Sequence, residues 1–398
     1  MTDRVHESPS NEPGDLETAS ARSTRLRVAA WGAVTFGAVL ASYSAFRPVR
    51  DALILGGNPD QIPWVFLGTF LAISVVSPAW SAVLARWSRR RVIPLAYHAF
   101  AACMVAFFVI IHAGVAPIAV SRVFYVWSAV FNLFVVSVFW SLLADLLGPS
   151  TARRIYGLIA AGGTIGTLVG PALTRLLVHA IGVAGVLLMS ALLLELAVIG
   201  LHGVRRAATR LPPDEAFEPA GDPDEPAGGG AFTGIVHVVR SPYLAAVVGY
   251  VLCTAFAATF LYLRQARIVH DAISGAAERA DYFASIDLWV AGGALALQLW
   301  VARPALGRFG PGAVLAVLPL IQITGLTTLV LAPSLAALAL VQVVGRAVTH
   351  GLTRPARELL FTVVSRDDKY RAKNAIDTIG YRFGDLSSSW LNKGLAAL

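Results

Sequence analysis

Leu211-Pro-Pro-Asp-Glu, Asp222-Pro-Asp-Glu-Pro and Gly228-Gly-Gly mark the one long polar stretch between apolar segments of this chain. Pro, Gly and acidic residues at this density cannot bury enough apolar surface to pack a core, so residues 204–241 read as a linker. Upstream, apolar segments follow one another near 28–46, 62–84, 92–113, 117–143, 155–178 and 181–203. Downstream they recur near 242–264, 282–302, 311–331, 333–360 and 374–398. Each reaches the roughly 20 residues that a bilayer core demands of a helix. About eleven spans divided by one linker predict an all-α membrane protein of two bundles, 25–203 and 242–398, preceded by a disordered tail over 1–24.

The composition excludes a water-soluble protein. Of 398 residues, 56% are hydrophobic and only 14% charged, against about 25% charged in soluble domains. The net charge of +8 comes from basic loops that orient spans, so it predicts no nucleic-acid partner. Cys103 and Cys253 both fall inside apolar segments and the histidines have no ligand spacing, so no metal, cofactor or disulfide is expected. There is also no catalytic triad, metalloprotease motif or nucleotide-hydrolysing loop. The sequence predicts no enzyme, and any work must draw on a gradient or an exchanged solute.

Loop charge sets the orientation. Arg22, Arg25 and Arg27 precede the first span, Arg86, Arg89, Arg90 and Arg91 fill the second loop, and Arg153 and Arg154 follow the fourth span. Arg205, Arg206 and Arg210 follow the sixth, and Arg303 and Arg308 fill the eighth loop. The alternate loops are nearly bare of charge. The positive-inside rule then places the N terminus and the linker in the cytoplasm.

Two loops repeat between halves: Leu84-Ala-Arg-Trp-Ser and Leu306-Gly-Arg-Phe-Gly each follow the second span of their bundle. Such duplication is the mark of transporters built from internal repeats. The first loop resembles the signature loop of the major facilitator superfamily, with Arg86, Ser88, Arg89 and Arg90 on its Arg, Gly and Arg-Arg positions and Ser81 and Ala85 replacing its first Gly and its Asp. In the fifth span, Gly157, Gly166, Gly170 and Pro171 resemble the antiporter pattern of that superfamily. Phe46-Arg-Pro-Val-Arg-Asp, Phe139-Trp-Ser-Leu-Leu-Ala-Asp, Thr353-Arg-Pro-Ala-Arg-Glu and Lys373-Asn-Ala-Ile-Asp are similar to the ATP/ADP translocase branch and its bacterial relatives. The resemblance implies a monomeric exchanger of a bacterial inner membrane, moving a nucleotide or another phosphorylated metabolite. It also implies twelve spans, so the chain is expected to lack a last helix.

An ionisable side chain costs at least about 2.5 kcal/mol at a span's centre, so those retained need a partner, water or an interface. Arg47 and Arg50, Arg264 and Arg267, and Arg354 and Arg357 are each spaced i,i+3, which puts two guanidinium forks on one helical face suited to a phosphate or carboxylate. Snorkelling to headgroups or pairing with an acid is the competing account. In the tenth span Gln342, Arg346, Thr349 or His350, Thr353 and Arg357 form a polar stripe with Arg346 deepest. Arg47, Arg50, Arg264, Arg346, His350, Arg354, Arg357, Trp140 and Asn132 are therefore the candidate contacts for an anionic substrate. Asp51, Asp145, Glu358, Asp377, Arg382 and Asp385 are the candidates for gating or proton coupling, while Glu195 and Asp287 stand alone and rank below them. Gly162, Gly166 and Gly170, four residues apart, predict close helix packing. Proton-coupled export and a non-transporting receptor or scaffold are the alternatives to exchange.

Overall fold

The computed structural model describes residues 13–87, 89–212, 241–361 and 381–395, and these are helical with short connections. The helices are α1 (Pro13–Ile54), α2 (Ile62–Arg86), α3 (Arg89–His112), α4 (Pro117–Leu146) and α5 (Pro149–Ala208). The second half contributes α6 (Pro242–Ala272), α7 (Ala276–Ala296), α8 (Arg303–Leu331), α9 (Leu335–Val348), α10 (Arg354–Leu360) and α11 (Tyr381–Leu395). Among the described residues, eight helical stretches are long and apolar enough to cross a membrane. Most of the linker, 213–240, lies outside the described residues, as does the start of the expected eleventh span.

Two of those stretches are double. A 60-residue helix at 1.5 Å per residue would be about 90 Å long, three times a hydrocarbon core. α5 therefore turns back, and it does so at Gly182, whose φ of 70° and ψ of 172° are open essentially to glycine alone. The run Ala276–Leu331 breaks in the same way at Gly310, with φ 75° and ψ 168°. The sequence places span boundaries close to both glycines. It misses the start of α1, which is helical from Pro13, so residues 13–24 are not without structure as expected.

The apolar exterior suits lipid: Leu176, Val75 and Leu331 are exposed at 74%, 68% and 79%. Inside, α1 and α4 form the axis of the first bundle, with 61% and 50% of their apolar windows buried against 22% for α3. Phe46, Phe124, Phe131 and Trp127 interlock there with centroids 5.2 to 5.9 Å apart. Small residues seat α1 against the first leg of α5. A Cβ on Gly166 would collide with the Gly37 carbonyl oxygen, and one on Gly162 with that of Ala33, so the two backbones touch as the glycine spacing predicts. Thr174 Oγ1 donates to the Ala45 carbonyl at 2.7 Å and extends this seam by another turn.

The halves meet at the end of the bundle opposite the linker. Arg267 on α6 pairs with Asp60 at 3.3 Å, and Arg175 on α5 approaches Asp281 on α7 at 3.8 Å. Arg279, only 6% exposed, donates from Nη1 to the Leu55 carbonyl at 2.7 Å and from Nε to the Ile273 carbonyl at 2.6 Å. One guanidinium so caps the C-terminal ends of α1 and α6 together, where helix carbonyls are left over and the dipole favours a cation.

Candidate functional site

Helical periodicity assembles one cavity between the halves. Tyr43, Arg47 and Arg50 recur at i, i+4 and i+7 on α1, and Tyr125, Ala129 and Asn132 do the same on α4, so each set shares a face. Phe66 and Thr69 on α2, one turn apart, and Ala258, Thr259 and Tyr262 on α6 complete the wall. The cavity measures about 280 Å³ and contains two arginines, one amide, two threonine hydroxyls and four aromatic rings. Pro48, inside α1, cannot donate to the Ser44 carbonyl and so loosens the helix between the two arginines.

Two carboxylates hold these cations. Asp51 Oδ1 accepts from Arg50 Nε at 3.0 Å and Nη2 at 2.7 Å, and from the Tyr262 hydroxyl of the other half at 3.4 Å. The Arg50 guanidinium also lies 4.7 Å from the centre of the Tyr125 ring. Asp287 on α7 is the second. Its Oδ1 lies 2.7 Å from Arg346 Nη2 on α9 and 3.6 Å from Arg47 Nη1 on α1. The first is a hydrogen-bonded pair; the second is too long for a hydrogen bond and is purely coulombic. One buried acid thus serves a cation from each half.

Of the expected contacts, Arg47, Arg50 and Asn132 line the cavity, and Arg346 does not, being joined to Arg47 through Asp287. The others lie elsewhere. Arg264 and Arg267 line a separate pocket of about 140 Å³ against Leu326, Leu329 and Val330 of α8. Trp140 packs its ring on Phe36, Phe139 and Tyr156, with centroids 5.1 to 5.5 Å apart, and acts as filling between α1, α4 and α5. His350 sits in a π-type turn, Thr349–Thr353, and its carbonyl accepts from Gln298 Nε2 at 3.1 Å. Arg354, exposed, and Arg357 and Glu358, half-buried, follow on α10 toward the linker end, where Asp145 ends α4. None of these lines the cavity. Asp377 lies outside the described residues, and for Arg382 and Asp385 only their helix, α11, is described.

Two residues that the sequence ranks low or leaves out matter here. Asp287 reads as a solitary acid because its partners stand 59 and 240 positions away in the chain. Arg279 opens a helix among polar neighbours and gives no sign that it reaches backbone carbonyls on two other elements. Among the described residues no group of three His, Cys, Asp or Glu is placed to hold a metal.

Known structures share this architecture. The nucleoside transporter NupG, in a mutant form, superposes with a TM-score of 0.64 at 12% identity, covering 94% of this chain and 91% of that one. A bacterial homologue of the iron transporter ferroportin, in an inward-facing state, gives 0.59 at 11% identity over 93% and 98%. A bacterial homologue of the human lysosomal transporter Spinster, inward-facing and unoccupied, gives 0.51 at 18% identity over 96% and 82%. At these identities the likeness establishes the fold. No curated protein matches in sequence. The Major Facilitator Superfamily matches residues 28–366, and the chain is a multi-pass membrane transporter that belongs to that superfamily.

Proposed function

We propose that this protein is a secondary transporter that carries an organic anion by alternating access. The observation that carries the proposal is the placement of Arg47 and Arg50 on the cavity-facing side of α1, with Asn132 and Tyr262 opposite. Guanidinium groups held in a protein-lined cavity favour a negatively charged passenger, and a fork of N–H donors suits carboxylate or phosphate. The basic loops support a cytoplasmic N terminus and linker, and the sequence resemblance supports a bacterial inner membrane. Nucleotides and phosphorylated metabolites enter the substrate range through the sequence resemblance, and exchange through the fifth-span glycine pattern.

The test is uptake into proteoliposomes of labelled AMP, glucose 6-phosphate and benzoate, with and without the same anion inside. Saturable uptake of at least one, stimulated by internal anion and lost in Arg47→Gln, is the expected result. Uptake of neutral solutes alone, or anion uptake indifferent to Arg47→Gln, overturns the proposal.

A further inference from the structure

Among the described residues, the charges joined by ion pairs to the cavity's two arginines do not cancel. Arg47, Arg50 and Arg346 supply three positive charges, and Asp51 and Asp287 supply two negative ones. The forks are also unequally occupied. Arg50 spends Nε and Nη2 on Asp51, and Arg346 holds Asp287 at hydrogen-bond distance. Arg47 reaches Asp287 only at 3.6 Å, and its side chain keeps 30% of its surface exposed. One cation, with one fork of donors, therefore faces the cavity without a hydrogen-bonded counter-charge among the described residues. Of the five groups counted, Arg47 and Arg50 line the cavity, and Asp51, Asp287 and Arg346 join them through the ion pairs described above.

Beside Asn132, two threonines and two alanines, the wall carries four aromatic rings, those of Tyr43, Phe66, Tyr125 and Tyr262. Phe66 lies 6.1 Å from Tyr125 and 5.8 Å from Tyr262, centre to centre, so these three rings form one surface against which a flat body can stack. At about 280 Å³ the space falls just below the range of about 300–1,000 Å³ that drug-sized ligands occupy.

Resting on the anion reading above, we infer that the cavity selects a small monoanion with a flat apolar body, in its simplest form an aromatic monocarboxylate anchored on Arg47. A single negative charge brings the cluster to neutrality. A second would remain uncompensated in a low-dielectric site, where an unpaired charge is disfavoured strongly. Asp51 and Asp287 are then specificity-determining residues: they set the charge the passenger must carry.

Calorimetric titration of the purified full chain in nanodiscs at pH 8 tests this with four probes of one body: benzoate, benzenesulfonate, benzamide and phenyl phosphate. Benzoate and benzenesulfonate should bind at least tenfold tighter than neutral benzamide or dianionic phenyl phosphate. Asp287→Asn raises the excess charge to two and should favour phenyl phosphate over benzoate by at least tenfold relative to wild type. Asp51→Asn makes the same change on another helix, so the prediction survives a folding failure of either variant. Tighter binding of phenyl phosphate to wild type overturns the monoanion inference and leaves the anion proposal intact. Equal binding of benzamide and benzoate overturns both. Absence of binding by all four removes the flat monoanion, as does an unchanged preference in the two Asn variants.

Discussion

The Leu55 carbonyl oxygen at the end of α1 is held by Arg279 Nη1, 2.7 Å away and from the opposite half of the protein. His270 Nδ1 reaches the same oxygen at 2.8 Å. These contacts close the end of the bundle away from the linker, and they use backbone acceptors, where Asp60 and Arg267 use an ion pair.

Arg279→Gln should loosen that end. Hydrogen bonds to a charged donor contribute about 1.5–3 kcal/mol each, so losing the bonds to Leu55 and Ile273 should tip the balance toward opening there. A cysteine placed at Asn58, with Cys103 and Cys253 replaced by Ser, should react several-fold faster with a membrane-impermeant maleimide in Arg279→Gln than in the parent. An unchanged rate would mean that Arg279 only steadies the loop.

Arg346 and Asp287 should prove coupled. Removing one partner of a buried pair costs about 3–5 kcal/mol because the other charge is stranded. Arg346→Met should therefore lower thermal stability sharply, and much less when Asp287→Asn is already present. Additive losses in this double-mutant cycle would show that the 2.7 Å contact carries no net energy.

The seam between α1 and α5 makes a prediction with a built-in control. A methyl group at Gly166 would meet the Gly37 carbonyl, which as backbone cannot yield, whereas one at Gly157 meets nothing within 4 Å. Gly166→Ala should cost about 1–3 kcal/mol through overpacking, while Gly157→Ala should be neutral or stabilising by up to about 1 kcal/mol. Melting temperatures in one detergent read both signs.

Arg47 and Arg264 separate the two halves of the original sequence pattern. Arg47→Gln should reduce anion uptake by at least about tenfold, the worth of one charge-assisted contact. Arg264→Gln should stay within about twofold, since Arg264 lines a different pocket, against α8. Equal losses in both would mean that the passenger visits both pockets.

What the sequence conveys depends on whether the signal is local. Span length, the turn near Gly182 and the glycine seam are written in neighbouring residues, through hydropathy, the residues a positive φ tolerates, and i,i+4 spacing. Arg47 is legible because its i,i+3 spacing with Arg50 is local to one helix, and both line the cavity. Arg264 shares the i,i+3 pattern of Arg47, yet the rotation of α6 about its axis turns it toward α8, and no local spacing encodes that rotation. Asp287 is the converse: nothing nearby in the chain announces a partner, and its meaning exists only once α1, α7 and α9 converge.

The backbone contact between α1 and the first leg of α5 has a mechanical consequence. Arg47 stands two residues beyond Ala45, whose carbonyl Thr174 holds, so its guanidinium is mounted at the edge of a welded joint. A tug on that guanidinium cannot slide α1 alone; it must swing two helices as a single stiff lever, turning a small local displacement into rocking of the whole half.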